Sequence, residues 1–265
     1  MSQDTDLRTE SHDPAVPEAY AAFMRTGWGD RELELPRNAV AEHAAKRRAD
    51  LAGRFPGERL VIPSGTYKAR ANDTDYRFRP ETAHTWLSGN QTSDAVLVLE
   101  DGEAVLYARP RCSRESDEFF RDRQYGELWA GRRPSEREIS ASLDLSVLHV
   151  DRLPEVLGDG ARTRVLRGVS ADVDRMVETD QAQDGDLARV VSEMRALKDD
   201  WEVEQLQRAC DVTTLGFEDC VREWSARLPP RARGRGGPVL RRARPMGHAN
   251  REATLVGGRR PPPTR

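Results

Sequence analysis

Charge is segregated along this chain more sharply than a single fold usually shows, which divides it into two parts. From Ala226 to Arg265 there are eleven arginines and one acid, Glu252, a charge of +10. The preceding 225 residues carry 31 basic and 44 acidic side chains, a charge of −13. The two stretches are therefore read separately. In the basic one, Arg, Pro and Gly fill 24 of 40 positions. Pro229-Pro230 stops any helix arriving from upstream. Too little apolar surface remains to offset chain entropy. Beyond Trp224 there is no Phe, Tyr or Trp. Nucleic-acid bases would find nothing to stack on, so a nucleic-acid partner is not expected.

The acidic part has a periodic pattern. After a polar leader, residues 1–14, a short helix is expected from Val16 to Arg25, with Trp28 pinning the connection that follows. Pro36 opens a second helix that runs to Phe55, with Val40, Ala44, Arg47 and Leu51 on one face. Pro56-Gly57 ends it. Short apolar runs predict strands at 59–63 and 95–100. Asp101-Gly102 is a two-residue hairpin signal that makes 103–107 the partner strand. Further strands are expected at 85–87, 125–129, 146–150 and 163–166. Short helices are expected at 135–141 and 153–157. Two longer helices close the pattern, 184–197 and a second after Lys198, with Asp199 or Asp200 as its N-cap. Interleaved helices and strands predict an α/β fold with a mixed sheet. No apolar run approaches the ~18 residues that cross a bilayer, so no membrane association is expected. The polar N-terminus and three unpatterned cysteines make the cytoplasm the expected location.

Catalytic patterns are missing. His12, His43, His84, His149 and His248 form no H-x-x-x-H or H-E-x-x-H spacing. His43 reads as solvated surface; His84 and His149 read as structural histidines more readily than as cleft residues. Asp73 and Asp75 share a strand face but sit in turn-favouring sequence with Asn72. Cys112, Cys210 and Cys220 have no metal or disulfide spacing and read as small buried hydrophobes. Gly158-Asp159-Gly160 lacks the third glycine and the Lys-Ser/Thr of phosphate loops. There is no G-x-S-x-G elbow.

Four segments, in order, resemble one family. Residues 75–89 run Asp-Tyr-Arg-Phe-Arg-Pro-Glu-Thr-Ala-His-Thr-Trp-Leu-Ser-Gly, and residues 94–111 form a hairpin ending Leu-Tyr-Ala-Arg-Pro-Arg. Residues 128–135 read Leu-Trp-Ala-Gly-Arg-Arg-Pro-Ser. Residues 193–218 begin Glu-Met-Arg-Ala-Leu-Lys-Asp-Asp-Trp-Glu and continue to Glu218. Together, over about residues 35–225, they resemble the Xaa-Pro aminopeptidase (aminopeptidase P) family. The resemblance implies a creatinase-like N-terminal α/β domain, with a mixed sheet flanked by helices, over 35–183. It implies linker helices over 184–225 that lead into an incomplete pita-bread domain. Residues 1–34 form a leader and 226–265 an aberrant Arg/Pro/Gly-rich tail.

The family's activity is metal-dependent removal of an N-terminal residue that precedes proline. Two metal ions, usually manganese, lie between two Asp, one His and two Glu and stabilise the developing oxyanion. Those ligands lie downstream of the hinge, so none is carried onto a residue of this sequence. No catalytic, cofactor-binding or metal residue is assigned, and the chain is expected to be inactive alone and to bind no cofactor itself. The tail reads like a frame-shifted start of the catalytic domain from a GC-rich gene, given three lysines against 39 arginines. The other reading is a non-catalytic module for oligomerisation or protein binding. Exposed apolar surface is expected on the last helix around Trp201, Phe217 and Trp224.

Overall fold

The structure, a computed structural model, describes residues 16–26, 32–71, 74–158 and 162–224. Trp28, Asn72, Asp73, Asp159, Gly160, His12, His248 and the Arg-rich segment 226–265 lie outside those residues. The chain divides into two compact units between Ala196 and Leu197.

The first unit is built on a five-stranded mixed sheet. Its strands are β1 (Arg59–Pro63), β4 (Val96–Glu100), β5 (Glu103–Ala108), β6 (Ser146–His149) and β7 (Thr163–Val165), in the order β6-β5-β4-β1-β7. A small ribbon, β2 (Ala69–Ala71) and β3 (Thr74–Asp75), stands apart. The central pairs β1–β4 and β4–β5 are antiparallel and the outer pairs, β1–β7 and β5–β6, are parallel. The β4–β5 turn is the expected two-residue one. Asp101 and Gly102 have φ of 48° and 82°, the left-handed pair that such a turn needs.

Alternation along the strands sorts side chains to two faces. One face places Leu60, Ile62, Leu97, Leu99 and Leu106 against α2 (Val40–Arg54), α3 (Thr82–Ser88), α6 (Glu136–Leu143) and α9 (Gln181–Ala196). The expected stripe on α2 is buried, Arg47 included. Its guanidinium lies over the Trp86 ring at 4.9 Å and donates to Trp86 O. Leu187, Val190 and Val191 seal α9 into the same core, each contributing about 2 kcal/mol. The first unit therefore runs on through α9. The other face is thinner. Val61, Val96, Val98 and Tyr107 meet Leu153 and Leu157 of α7 (Leu153–Leu157) and Val173 of α8 (Ala171–Met176).

Two expected strands are helices. Residues 82–88 form α3, because Glu81 accepts from the His84 N–H at 3.0 Å and Gly89, at φ 74°, closes the C-terminus. Residues 127–130 form the single turn α5 (Glu127–Ala130), following α4 (Asp117–Arg121). Pro36 does not open α2. Ala39 holds the capping position, and Asn38 before it accepts from Val40 N at 3.0 Å. In front of α1 (Glu18–Arg25), Pro17 holds the capping position.

The described part of the second unit is one helix, α10 (Asp200–Trp224). Of the two expected candidates, Asp199 is its N-cap. Its carboxylate accepts from Glu202 N at 2.8 Å, and Glu202 accepts from Asp199 N at 3.2 Å.

Candidate functional site

The chemistry-bearing residues of the first unit gather where β5 leaves the sheet. Here the chain turns through Arg109-Pro110-Arg111, makes α4 and α5, and returns through Gly131-Arg132-Arg133-Pro134 into α6. Tyr125 is the hub. The Arg109 and Arg133 guanidinium carbons lie over its ring at 4.7 and 4.9 Å. Its hydroxyl meets Ser93 Oγ at 3.1 Å and accepts from Gln124 Nε2 at 2.8 Å. Arg133 also donates to Tyr125 O at 3.2 Å and to Arg109 O. Glu118 faces both cations, 3.7 Å from Arg133 and 4.0 Å from Arg109.

The returning strand is held by two further pairs. Arg111 lies 3.5 Å from the buried Glu127, and its N–H donates to Pro134 O. Arg132 grips Glu138 with both nitrogens, at 2.5 and 2.9 Å. Glu138 also closes a capping box with Ser135 at the start of α6 and accepts from Leu33 N. The Arg132 guanidinium, with these N–H donors, brings its carboxyl pKa down to about 2. Gly126 is forced by space. A Cβ there would meet Asp122 O at 2.3 Å and Glu118 O at 2.4 Å. Next to it the Trp129 ring is exposed yet fixed, since its Nε1 donates to Phe120 O at 2.8 Å. The result is a cationic, aromatic-bearing loop without a nucleophile–base pair.

The residues weighed from the sequence are not brought together. His84 is fully buried on α3. Its Nδ1–H donates to Ile62 O at 2.8 Å, and Nε2 accepts from Asn90 at 3.2 Å. Burial lowers its pKa to about 4. It is structural, as read. His149 begins the 3-10 turn before α7 and accepts from Asp151 N. Asp75 is exposed on β3. The three cysteines are free thiols, but the expectation of burial fails: Cys210 is exposed, and Cys112 and Cys220 are half-buried. Among the described residues no group of three or more His, Cys, Asp or Glu is placed to hold a metal ion. The donor set for two manganese ions is thus not met there. None of these residues forms a helix long and apolar enough to cross a membrane. On α10, Val203, Leu206, Phe217 and Val221 are exposed, and Trp201 is half-buried. The Arg–Tyr–Arg stack was not found from sequence. Only the Gly-Arg-Arg-Pro string signalled it.

Comparison with known proteins bears on the domain and its fold. Residues 44–165 match the family described as Aminopeptidase P, N-terminal domain. Xaa-Pro aminopeptidase 2 of Streptomyces coelicolor is 40% identical over 253 residues, 92% of this chain and 54% of that protein. The chain belongs to the Xaa-Pro aminopeptidase family. Xaa-Pro aminopeptidase 1 of the same organism is 44% identical over 218 residues, 79% of this chain and 44% of that protein. The chain therefore spans about half the length of the curated relatives it matches. The fold matches that of aminopeptidase P from E. coli with the inhibitor Pro-Leu. The TM-score is 0.58 at 19% identity, over 82% of this chain and 51% of that one. Proline aminopeptidase P II from Yersinia pestis gives 0.57 at 20% identity, over 78% and 50%. The matched stretch holds the Tyr125 hub, the Gly-Arg-Arg-Pro return and the sheet that positions them.

Proposed function

We propose that residues 16–224 form the non-catalytic half of an Xaa-Pro aminopeptidase system and do not turn over peptide by themselves. The observation that carries this reading is the absence, among the described residues, of a metal-holding cluster. An aminopeptidase P N-terminal domain accompanies that absence. Removal of a residue before proline needs an activated water and a stabilised oxyanion. The site found here offers guanidiniums, a phenol and paired carboxylates. Each of those carboxylates is already committed to an arginine. The domain's contribution is then structural, presenting the Gly131–Pro134 loop and the Trp129 ring at its surface. The three free thiols fit a reducing cytoplasm.

The test is hydrolysis of an Xaa-Pro peptide by the pure full chain with added Mn²⁺. The expected rate is that of the enzyme-free blank. Manganese-dependent turnover that disappears with chelator would overturn the reading.

A second reading, a module for self-association, is favoured by the exposed apolar residues of α10. Sedimentation of the wild-type chain and a Leu206→Glu/Phe217→Glu variant tests it. A mass that falls from dimer to monomer in the variant supports it, and a monomer in both rejects it.

A further inference from the structure

We propose that the outer face of the β4–β5 hairpin is a binding groove for a small primary ammonium ligand with an apolar body. The hairpin register builds the groove. On this face Val96 is opposite Tyr107, Val98 is opposite Val105, and Glu100 is opposite Glu103. An apolar floor therefore ends in two directly opposed carboxylates, with Asp101 in the turn beside them. Val156 of α7 forms the wall of what is an open depression of about 320 Å³ rather than an enclosed cavity.

Three observations make this more than a cluster of acids. First, Asp101 and Glu103 stand together at the mouth, and neither is paired with a basic side chain among the described residues. Second, the groove is braced from beneath. Arg59 on β1 is 3% exposed; one guanidinium nitrogen donates to Val156 O at 2.6 Å and the other to Glu100 at 2.6 Å. One buried cation thus ties the wall to the rim and neutralises Glu100. Asp101 and Glu103 still bear their charges at the exposed mouth. Third, Tyr107 lines the groove, is 4% exposed as a residue, and its hydroxyl makes no hydrogen bond among the described residues. Burial raises the phenol pKa, so it keeps its proton and offers a lone pair to an N–H donor. The nearby cations acting on it are Arg59, already paired, and Arg152 on the exposed 3-10 turn. Carboxylates outnumber them, and the local charge favours a cation. Such a ligand lays its body on Val98 and Val105, gives one N–H to the Tyr107 oxygen, and turns its charge toward Asp101 and Glu103. The assignment does not depend on the family's peptide chemistry.

The test is a titration of the ¹⁵N-labelled full chain with 2-phenylethylammonium, with 2-phenylethanol as the uncharged twin. Saturable shifts centred on Val105, Tyr107 and Val156 are expected. The alcohol should bind at least about fivefold more weakly. An Asp101→Asn/Glu103→Gln variant should lose about tenfold in affinity for the ammonium and none for the alcohol. Asn suits the left-handed turn position, so the hairpin survives. Tyr107→Phe, with an otherwise unchanged spectrum, should weaken the ammonium about threefold. Equal affinity for amine and alcohol, shifts elsewhere in the chain, or a double variant that binds the ammonium as the wild type does would each overturn the proposal.

Discussion

Arg132 holds both carboxylate oxygens of Glu138, a residue buried at the first turn of α6 whose other contacts are the N–H groups of Ser135 and Leu33. One carboxylate thereby fastens three chain segments. Because its pKa is lowered to about 2, its contribution to stability is complete above the unfolded value of 4.5 and is lost as pH falls toward 2. Glu138→Ala should cost about 3 kcal/mol, since it strands a cation and removes a helix cap. Urea unfolding at pH 7 and pH 3 checks this. The variant should also lose the part of the wild type's acid sensitivity that sets in below pH 4.5.

His84 has the opposite sign relative to its charge. Its neutral form is the buried one, with a pKa near 4 against 6.5 when unfolded. Below pH 6.5 the unfolded chain takes up a proton that the folded chain refuses, so stability declines between pH 6.5 and pH 4. The decline should total about 3 kcal/mol, and His84→Gln should flatten it. Unfolding midpoints measured at half-unit steps from pH 7 to pH 4 would show whether the slope belongs to this ring.

Tyr125 reports on the Arg-rich loop. Tyr125→Phe removes the Ser93 and Gln124 hydrogen bonds and should cost about 1 kcal/mol. Tyr125→Ala also removes the surface on which Arg109 and Arg133 lie. It should raise amide exchange across 126–135 by at least about tenfold without changing exchange in β1 or β4. Uniform acceleration everywhere would mean that the ring supports the whole unit rather than the loop.

Gly89 is confined by both backbone and space. At φ 74° an L side chain is strained, and a Cβ would sit 2.5 Å from Val40 Cγ1. Gly89→Ala should cost about 2–3 kcal/mol, read from thermal or urea unfolding. A companion Val40→Ala should recover part of that loss.

The strands of the central sheet were legible because short apolar runs with a two-residue turn admit few alternatives. Leu97 and Leu106 lie opposite each other as the Asp101-Gly102 turn dictates. The α2 stripe and the Asp199 cap were legible for the same local reason. Residues 85–87 misled because Thr-Trp-Leu favours a strand on propensity alone. The deciding signals lay outside that triplet, in the Glu81 cap and the Gly89 stop. The Arg109–Tyr125–Arg133 stack had no periodic signature at all. Its members are 16 and 8 residues apart, and only the tertiary path between β5 and α6 brings them together.

The parallel pairing of β1 with β7 has a consequence for how the protein is made. Thr163 is the partner of Arg59, so about a hundred residues separate the two strands. The β4–β5 hairpin forms from neighbours in sequence, whereas the β7 edge closes a loop spanning most of the unit. On the ribosome the hairpin and α3 emerge early, but the edge of β1 stays open until residue 165 clears the exit tunnel. Leu187, Val190 and Val191 arrive later still. During that interval Leu60 and Ile62 are covered by α2 and α3 but still lack the α9 side of their core, so a chain stalled there shows apolar surface that the finished unit hides.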